Sequence, residues 1–324
     1  MIPRLIRILL TAVAVAFFAA AVARAQETLR FVMVTHGPPS DPFWATIKDA
    51  AERAADEAGV EVVYRAPETF DLEAMAALVT AAVEEKPAGL IVSIPNADAL
   101  AGPMRAAETA GIPVVSINSG FDVARSLGAI LHVGQGEYEA GRVAGEAMRE
   151  SGGTRALCLN HEVGNVALDL RCKGFIDGFG GSVEVLPVAS DREEVGEAVE
   201  AKLVDDPEIN VILALNASIA GEPAIEAAKA LRPGRTVDVG TFDLTATVLA
   251  AVADGAAAFA IDQQPFLQGY LPVQFLALLK RHDVVPVSNV STGPRLVTEA
   301  EAKRRLGRPE NLEMDGEPTE PGGG

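Results

Sequence analysis

Two spacings of hydrophobic residues alternate along most of the chain. Short runs rich in Val, Ile and Leu, at residues 60–64, 89–94 and 112–117, are typical of strands buried on both faces. Between them lie longer Ala-rich segments, at residues 71–86 and 97–110, whose apolar positions recur every three or four residues, as on one face of a helix. Strands that alternate with helices in this way predict an α/β unit built on a parallel sheet.

The same alternation begins again near residue 129 and continues to residue 253. Two successive units of similar size predict two doubly wound, Rossmann-like α/β lobes with a cleft between them. The pattern assigns the elements that follow residue 253 to neither lobe. Predicted strands of the second unit are residues 129–133, 155–159, 183–188, 209–215 and 236–242, and its predicted helices are residues 136–150, 167–179, 193–204, 218–231 and 245–253. The elements after it are a strand at 257–261, a helix at 266–281 and a short strand at 288–292.

Residues 32–44 join the first predicted strand to the first predicted helix. Asp41 followed by Pro42 is typical of a helix start, because the carboxylate accepts hydrogen bonds from free N–H groups and proline forfeits none. Phe43 and Trp44 then stand at the mouth of the helix, where open α/β sheets bind ligands. Such aromatic pairs are more often core residues. The preceding loop is polar and the chain holds a single Trp, so we interpret the pair as the wall of a ligand cleft.

The N-terminal segment has the pattern of a secretory signal. Arg4 and Arg7 precede an apolar run, and Ala23 and Ala25 occupy the two positions that a signal peptidase reads. We therefore expect residues 1–25 to be removed after Ala25 and the mature chain to be exported. A retained membrane anchor is the alternative, although the apolar run is short for a span of about 20 residues.

Charge and length narrow the class of protein. The formal net charge is −18, and loss of the three arginines of the signal segment changes it to −21. Because phosphate neutralisation needs a basic surface, no nucleic acid partner is expected. The mature length of roughly 300 residues exceeds one ordinary core and agrees with two lobes. Residues 307–324 are rich in Pro, Gly and acids without apolar periodicity, which predicts a disordered tail.

The chemistry-bearing residues indicate neither a metal centre nor catalysis. The four histidines lack the spacing of metal ligands. Gly134-Gln135-Gly136 departs from a dinucleotide fingerprint, because Glu139 takes the third glycine position. We therefore expect no metal, no cofactor and no enzymatic activity. Cys158 and Cys172 would face an oxidising compartment, and a disulfide between them is favoured over the alternative of two free thiols.

An ordered set of short motifs resembles one known family. Asp41-Pro42-Phe43-Trp44 follows the first predicted strand, Arg171 precedes Gly174-Phe175 by three residues, and Gln263-Gln264-Pro265 follows a late strand. Further members of the set are Ile112-Pro113-Val114-Val115, Gly141 and Gly145, Asn216, and Gly240-Thr241-Phe242-Asp243. From about residue 29 to residue 297 the chain resembles the ribose-type periplasmic sugar-binding proteins, which are type I substrate-binding components of ABC importers.

In that family, two lobes are joined by three strand crossings and close over a sugar. The resemblance implies that the crossings lie near residues 129–134, 262–264 and 291–294. The N-terminal lobe is then expected to hold residues 26–131 and 264–291, and the C-terminal lobe residues 132–263 and 292–306.

The resemblance also implies a binding site. Phe43 and Trp44 look like the aromatics that stack on the sugar ring, whose apolar C–H faces suit an aromatic face. Planar amide, carboxylate and guanidinium groups suit the vicinal hydroxyls, because each can bond two of them at once. The implied polar contacts are Asp41, Asn118, Arg171, Asn216, Asp243 and Gln263, with His36 and Asn165 as further candidates.

Several of these residues have a purely structural alternative. Gln263 suits a hinge residue that faces solvent. Arg171 lacks an obvious structural partner near it in the sequence, apart from Asp169 or Asp177. Side chains of this kind also cap helices. The residues with that capping alternative are Asp41, Asn216 and Asp243.

The sequence departs from the family pattern in three places, one of which is a first loop, containing His36, that is longer than in the ribose binders. Asn118-Ser119-Gly120 replaces an acid–arginine pair, and residues 190–195 lack the aromatic that often completes the site from the C-terminal lobe. We therefore expect a neutral monosaccharide or sugar alcohol that is not ribose bound in the usual way. The resemblance implies a monomer that delivers this ligand to the membrane permease of an ABC importer. The alternatives are a sensor protein for a chemoreceptor or kinase, and a binder of another small polar metabolite.

Overall fold

The structure is a computed structural model that describes residues 28–231 and 234–307. Its first part contains the alternating strands and helices that the hydrophobic pattern predicts. Strands β3 and β4 are buried along their whole length, as strands of a sheet covered on both faces must be. The strands of this part are β1 (Arg30–Val34), β2 (Glu61–Arg65), β3 (Gly89–Ser93), β4 (Val114–Asn118) and β5 (Leu131–Gly134), and the helices are α1 (Pro42–Ala58), α2 (Leu72–Glu84) and α3 (Ala97–Thr109).

The second part repeats this alternation and ends in a short C-terminal segment. The helix predicted at residues 218–231 begins as a π-helical turn at Ala217–Gly221. The helices are α4 (Glu137–Glu150), α5 (Val166–Phe179), α6 (Arg192–Asp205), α7 (Glu222–Lys229), α8 (Ala246–Ala253), α9 (Pro265–His282) and α10 (Glu299–Leu306). The strands are β6 (Arg155–Asn160), β7 (Ser182–Pro187), β8 (Val211–Ala214), β9 (Asp238–Phe242), β10 (Phe259–Asp262), β11 (Val290–Ser291) and β12 (Arg295–Val297).

The strands form two six-stranded sheets. The first has the order β11-β5-β4-β3-β1-β2 and the second the order β12-β10-β9-β8-β6-β7. Strand β12 runs antiparallel to β10, and the other paired strands are parallel. The predicted α/β class with two doubly wound lobes is therefore confirmed. We call the unit around the first sheet the N-terminal lobe and the unit around the second sheet the C-terminal lobe.

Three short segments, at residues 135–136, 263–264 and 292–294, connect the two sheets. The predicted boundary between residues 131 and 132 falls inside β5, whereas all of β5 pairs with β4 in the first sheet, so the first crossing lies after Gly134. The buried side chain of Gln268 links the other two crossings. Its amide nitrogen donates to the Gln263 carbonyl oxygen at 3.0 Å and to Thr292 Oγ1 at 3.2 Å.

Helices α4 and α5 pack closely and hold one face of the C-terminal lobe. A Cβ atom on Gly174 would lie 1.9 Å from the Tyr138 carbonyl oxygen, so the two helices can approach this closely only because the position is glycine. The favoured pairing of Cys158 with Cys172 is present as a disulfide, with the sulfur atoms 1.98 Å apart, and it ties β6 to α5. These contacts fix the position of α5 relative to the second sheet.

The sequence analysis does not predict β12 or α10. Strand β12 has three residues, and most residues of α10 are charged, so neither has a clear periodic pattern. Tertiary contacts hold α10 instead, through buried Ala302 and an ion pair of 2.9 Å between Arg305 Nη2 and Asp262 Oδ2. The predicted signal segment and all of the predicted tail except Gly307 lie outside the described residues. Within the described ranges, no helix is long and apolar enough to span a membrane.

Candidate functional site

A cavity of about 510 Å³ lies between the two lobes. The segments that line it follow the carboxyl ends of strands in both sheets, which is where open α/β sheets bind ligands. The N-terminal lobe contributes residues that follow β1, β2 and β4, and the C-terminal lobe contributes residues that follow β6, β7, β8 and β9. The crossing after β10 contributes Gln263.

Phe43 and Trp44 form an aromatic wall on the N-terminal side of the cavity. The rings stand edge to face, with centroids 5.1 Å apart and planes at 90°. The His36 ring meets the indole in the same way at 4.7 Å. The indole lies over Gly37, where a Cβ atom would come within 1.9 Å of Trp44 Nε1. Both aromatics line the cavity and also pack in the core of the lobe. The pair is therefore at once part of the core and part of the cavity wall.

Asp41 and Asn216 each cap a helical turn and also contact each other across the cavity. Asp41 Oδ1 accepts from the Phe43 backbone N–H at 2.8 Å, and Asn216 Oδ1 accepts from the Ile219 backbone N–H at 2.7 Å. The remaining carboxylate oxygen of Asp41 accepts from Asn216 Nδ2 at 3.0 Å. The capping bonds orient both side chains, so capping and placement in the site are not alternatives here.

The two lobes also touch at a second place. The Val166 backbone N–H donates to the Pro95 carbonyl oxygen at 2.9 Å. Asn165 lies beside this contact, and its Nδ2 is 3.3 Å from His36 Nε2 in the other lobe. Direct hydrogen bonds between the lobes at two places define a closed arrangement of the lobes.

Arg171 projects from α5 into the cavity but is held by protein groups. Its Nε donates to Glu137 Oε2 at 2.6 Å and its Nη2 to Glu137 Oε1 at 3.0 Å. Its guanidinium also donates to Gln263 Oε1 at 3.0 Å and to the Leu215 carbonyl oxygen at 3.2 Å. The guanidinium carbon lies 4.3 Å from the centre of the Phe242 ring. Arg171 therefore joins α4, α5 and the crossing after β10.

The expectation that Arg171 has no structural partner other than Asp169 or Asp177 is wrong. Its partner is Glu137, in the first turn of α4, which packs against α5. Asp169 accepts from Asn160 instead, and Asp177 accepts from Lys173 and Tyr138. The pair with Glu137 depends on contact between two helices, which residues adjacent in the sequence do not reveal.

Asn165 is the one predicted site residue that does not line the cavity. Its Oδ1 caps α5 by accepting from the Ala167 backbone N–H at 3.0 Å. Its Nδ2 donates to Glu162 Oε2 at 2.7 Å. Asn165 therefore supports Glu162, which does line the cavity.

A hydrogen-bonded chain of polar groups runs from the crossing after β10 into the cavity. Gln263 Nε2 donates to Asp243 Oδ1, and Gln263 Oε1 accepts from Asn118 Nδ2 at 3.4 Å. Gln263 is 1% exposed, so it does not face solvent at the hinge. Asp243 and Asn118 have positive φ angles of 70° and 57°, which turn their side chains at the ends of their strands.

Burial changes the ionisation of four groups in the cavity wall. Burial raises the pKa of Glu162 to about 7 and, against the attraction of Arg171, raises the pKa of Asp243 to about 7. Burial, together with the positive charge of Arg171, lowers the pKa of His36 and of His161 to about 3. Both histidines are therefore neutral near pH 7.

The predicted site residues other than Asn165 all converge on this cavity. Sequence reasoning missed several residues that line it as well. The clearest available signal was position, because His161 and Glu162 directly follow β6, at the carboxyl end of a strand. The described residues contain no cluster of three His, Cys, Asp or Glu side chains able to hold a metal ion. The missed polar and aromatic residues of the lining include Phe70, His161, Glu162, Ser190, Arg192 and Ser218.

Glu162→Gln is expected to stabilise the unliganded protein at pH 8 and to change it little at pH 5. The folded-state pKa of about 7 lies above the ordinary value of 4.5. The stabilising contribution of Glu162 is therefore present below about pH 4.5 and lost as the pH rises through 7. Glutamine does not titrate, so the variant avoids this loss of stability. Since one unit of pKa shift corresponds to about 1.4 kcal/mol, the shift from 4.5 to about 7 corresponds to a loss of about 3 kcal/mol.

Urea unfolding of both proteins at pH 5 and pH 8 measures this difference. Glu226→Gln, at an exposed position of α7, is the matched control and should change neither midpoint. An equal effect of Glu162→Gln at the two pH values would show that Glu162 is not the titrating group.

The chain belongs to the periplasmic binding protein domain family, whose model matches residues 31–282. The xylose/arabinose-binding protein XylF of Sulfolobus acidocaldarius is 24% identical over 84% of this chain and 71% of its own length. The ribose import binding protein RbsB of Escherichia coli is 26% identical over 79% of this chain and 86% of its own length. The resemblance to periplasmic sugar-binding proteins is confirmed by these matches.

Solved structures share the architecture. A carbohydrate transporter from Acidothermus cellulolyticus, solved in complex with myo-inositol, matches with a TM-score of 0.80 and 34% identity. The match covers 86% of this chain and 96% of that one. A periplasmic sugar-binding protein from Legionella pneumophila matches with a TM-score of 0.74 and 26% identity, over 82% of this chain and 99% of that one.

Proposed function

We propose that this protein captures a monosaccharide or sugar alcohol in the cavity between its lobes. The observation that carries the proposal is an aromatic wall, formed by Trp44 and Phe43, that shares one cavity with planar polar side chains of the C-terminal lobe. A hydroxylated ring presents apolar faces to aromatic side chains and hydrogen-bonding edges to amides and carboxylates. The volume of about 510 Å³ is in the usual range for a small-molecule site.

The names of relatives support the same ligand class. Xylose, arabinose and ribose are named for two of the related binding proteins, and myo-inositol occupies the related transporter. In this chain, Ser190 and Arg192 line the cavity in the segment that has no aromatic, and Asn118 stands in place of the acid of an acid–arginine pair. The proposal therefore includes cyclic sugar alcohols and does not single out ribose.

Capture proceeds by closure of the lobes about the three crossings. A ligand that contacts both lobes adds interactions that exist only in the closed state, and so it shifts the equilibrium toward that state. The closed protein then docks on the membrane permease of an ABC importer. In this proposal the protein acts in the periplasm as a monomer after removal of residues 1–25, and it needs neither a cofactor nor catalysis.

A thermal-shift screen of the mature chain tests this function. The ligands are pentoses, hexoses, myo-inositol and amino acids, each below 1 mM, since high concentrations of any sugar stabilise proteins by exclusion. At least one sugar or sugar alcohol is expected to raise the melting temperature saturably, because a ligand of the folded state stabilises it by mass action. Saturable stabilisation by an amino acid alone would contradict the proposed ligand class.

A further inference from the structure

Acidic side chains outnumber basic side chains in the lining of the cavity. Four of the charged side chains are acidic, and two are the arginines Arg171 and Arg192. Glu68 is exposed, whereas Asp41 and Asp243 are buried and the side chain of Glu162 is 11% exposed. The four acidic residues of the lining are Asp41, Glu68, Glu162 and Asp243.

Arg171 is neutralised by an acid from outside the lining. Two N–H groups of its guanidinium donate to the two carboxylate oxygens of Glu137, at 2.6 and 3.0 Å, and together form one bidentate contact. Glu137 is 3% exposed and does not line the cavity. The positive charge of Arg171 is therefore already balanced before a ligand enters.

Arg192 is neutralised in the same way. Its Nη2 lies 2.7 Å from Glu222 Oε2, and Glu222 is 8% exposed and lies outside the lining. The side chain of Arg192 is half exposed, so its field in the cavity is also weakened by solvent. The two histidines of the lining, His36 and His161, are neutral near pH 7.

The hydrogen-bond donors that reach Asp41, Glu162 and Asp243 are neutral groups. Asp41 accepts from a backbone N–H, from Asn216 and from Ser218 Oγ. Glu162 accepts from Asn165 through Oε2. Among the described residues, side-chain donors reach Asp243 only through Oδ1, from Gln263. The cavity therefore contains carboxyl groups that accept no hydrogen bond from a cation, and a buried carboxyl group of this kind either takes up a proton or gains a positive partner.

We propose that the ligand of this cavity carries an ammonium group on its hydroxylated ring, as amino sugars and amino-substituted sugar alcohols do. This inference rests on the proposed function and names the ligand class within it. The ammonium supplies the missing positive charge to a lining that contains Asp41, Glu162 and Asp243 and donates to the carboxylate it reaches, while the carbon ring lies against Trp44. By the same charge balance, sugars that carry a carboxylate or a phosphate are rejected.

Burial raises the pKa of Glu162 and of Asp243 to about 7, which agrees with this geometry. A positive charge of a ligand next to these carboxyl groups favours their ionised form. An ammonium is therefore expected to bind with release of protons from the cavity, whereas a neutral ring leaves these groups partly protonated.

Isothermal titration calorimetry at pH 7.5 with matched ligand pairs tests the proposal. The pairs are D-glucose with D-glucosamine, D-galactose with D-galactosamine, and myo-inositol with an amino-deoxy-inositol, and D-glucuronate is the acidic probe. In at least one pair the amine is expected to bind tenfold or more tightly than its neutral partner, and D-glucuronate is not expected to bind. Glu162→Gln or Asp243→Asn should reduce this preference at least tenfold, whereas Glu226→Gln, on the surface of α7, should preserve it.

Binding of neutral members of the pairs with weaker binding of every amine would overturn the inference and leave the proposed function intact. An amine preference that survives both Glu162→Gln and Asp243→Asn would also overturn it, because the charge would then be recognised elsewhere. No binding by any neutral sugar or amine would contradict the proposed function itself.

Discussion

Arg171→Met is expected to lower the free energy of unfolding by about 3–5 kcal/mol, which is a large part of the stability of an ordinary domain. The variant leaves the Glu137 carboxylate buried at 3% exposure with its bidentate partner removed. It also removes the N–H groups that donate to Gln263 Oε1 and to the Leu215 carbonyl oxygen. The cost comes from the unpaired buried charge more than from loss of a favourable pair, because an intact buried pair contributes little net stability.

Urea unfolding of the unliganded protein measures this loss. Lys173→Met is the matched control, because Lys173 is on the same helix but 63% of its side chain is exposed, and an exposed ion pair such as the one with Asp177 contributes little stability. The double variant Arg171→Met/Glu137→Met should recover most of the loss, since no unpaired charge remains. A single Arg171→Met variant as stable as the control would show that the pair with Glu137 does not form.

Trp44→Ala is expected to weaken ligand binding at least 100-fold, or about 2.7 kcal/mol. The variant removes the aromatic face on which we propose that the ligand ring lies, and it leaves His36 and Phe43 without their edge contacts. Trp44→Phe keeps a smaller aromatic face and should lose less affinity. Because Trp44 is 5% exposed and packs in the core, the alanine variant should also unfold more easily, by about 3–5 kcal/mol.

Calorimetric titration at a temperature where each variant is folded separates the two effects of Trp44→Ala. Phe266→Ala, which removes an aromatic side chain on α9 that is 41% exposed, is the control and should bind as the original protein does. Unchanged affinity in folded Trp44→Ala would place the ligand away from the aromatic wall.

Local signals explain why the α/β class and the aromatic wall could be predicted from the sequence. Continuous Val and Ile runs identify strands buried on both faces, and Asp41 before Pro42 marks the start of α1. The side chain of Asp41 does cap α1, and Phe43 and Trp44 in its first turn do line the cavity. These features depend on residues close together in the chain.

The charge balance of the site could not be predicted in this way. Glu137 and Arg171 are 34 residues apart, and they meet only because α4 and α5 pack closely. Nothing adjacent to Glu162 in the sequence shows that its side chain will lie beside His36 and Asn165. Which predicted residues are free to bind a ligand therefore depends on charged and hydrogen-bonding partners that only tertiary packing brings near.

The emission of Trp44 tests the central claim most directly. The chain contains one Trp, and that residue lies in the cavity wall, so tryptophan fluorescence reports on this cavity alone. Titration with each sugar, sugar alcohol or amino derivative that binds by calorimetry is expected to change the emission saturably, with the same dissociation constant. Calorimetric binding that leaves the emission of Trp44 unchanged would contradict a ligand site between the two lobes.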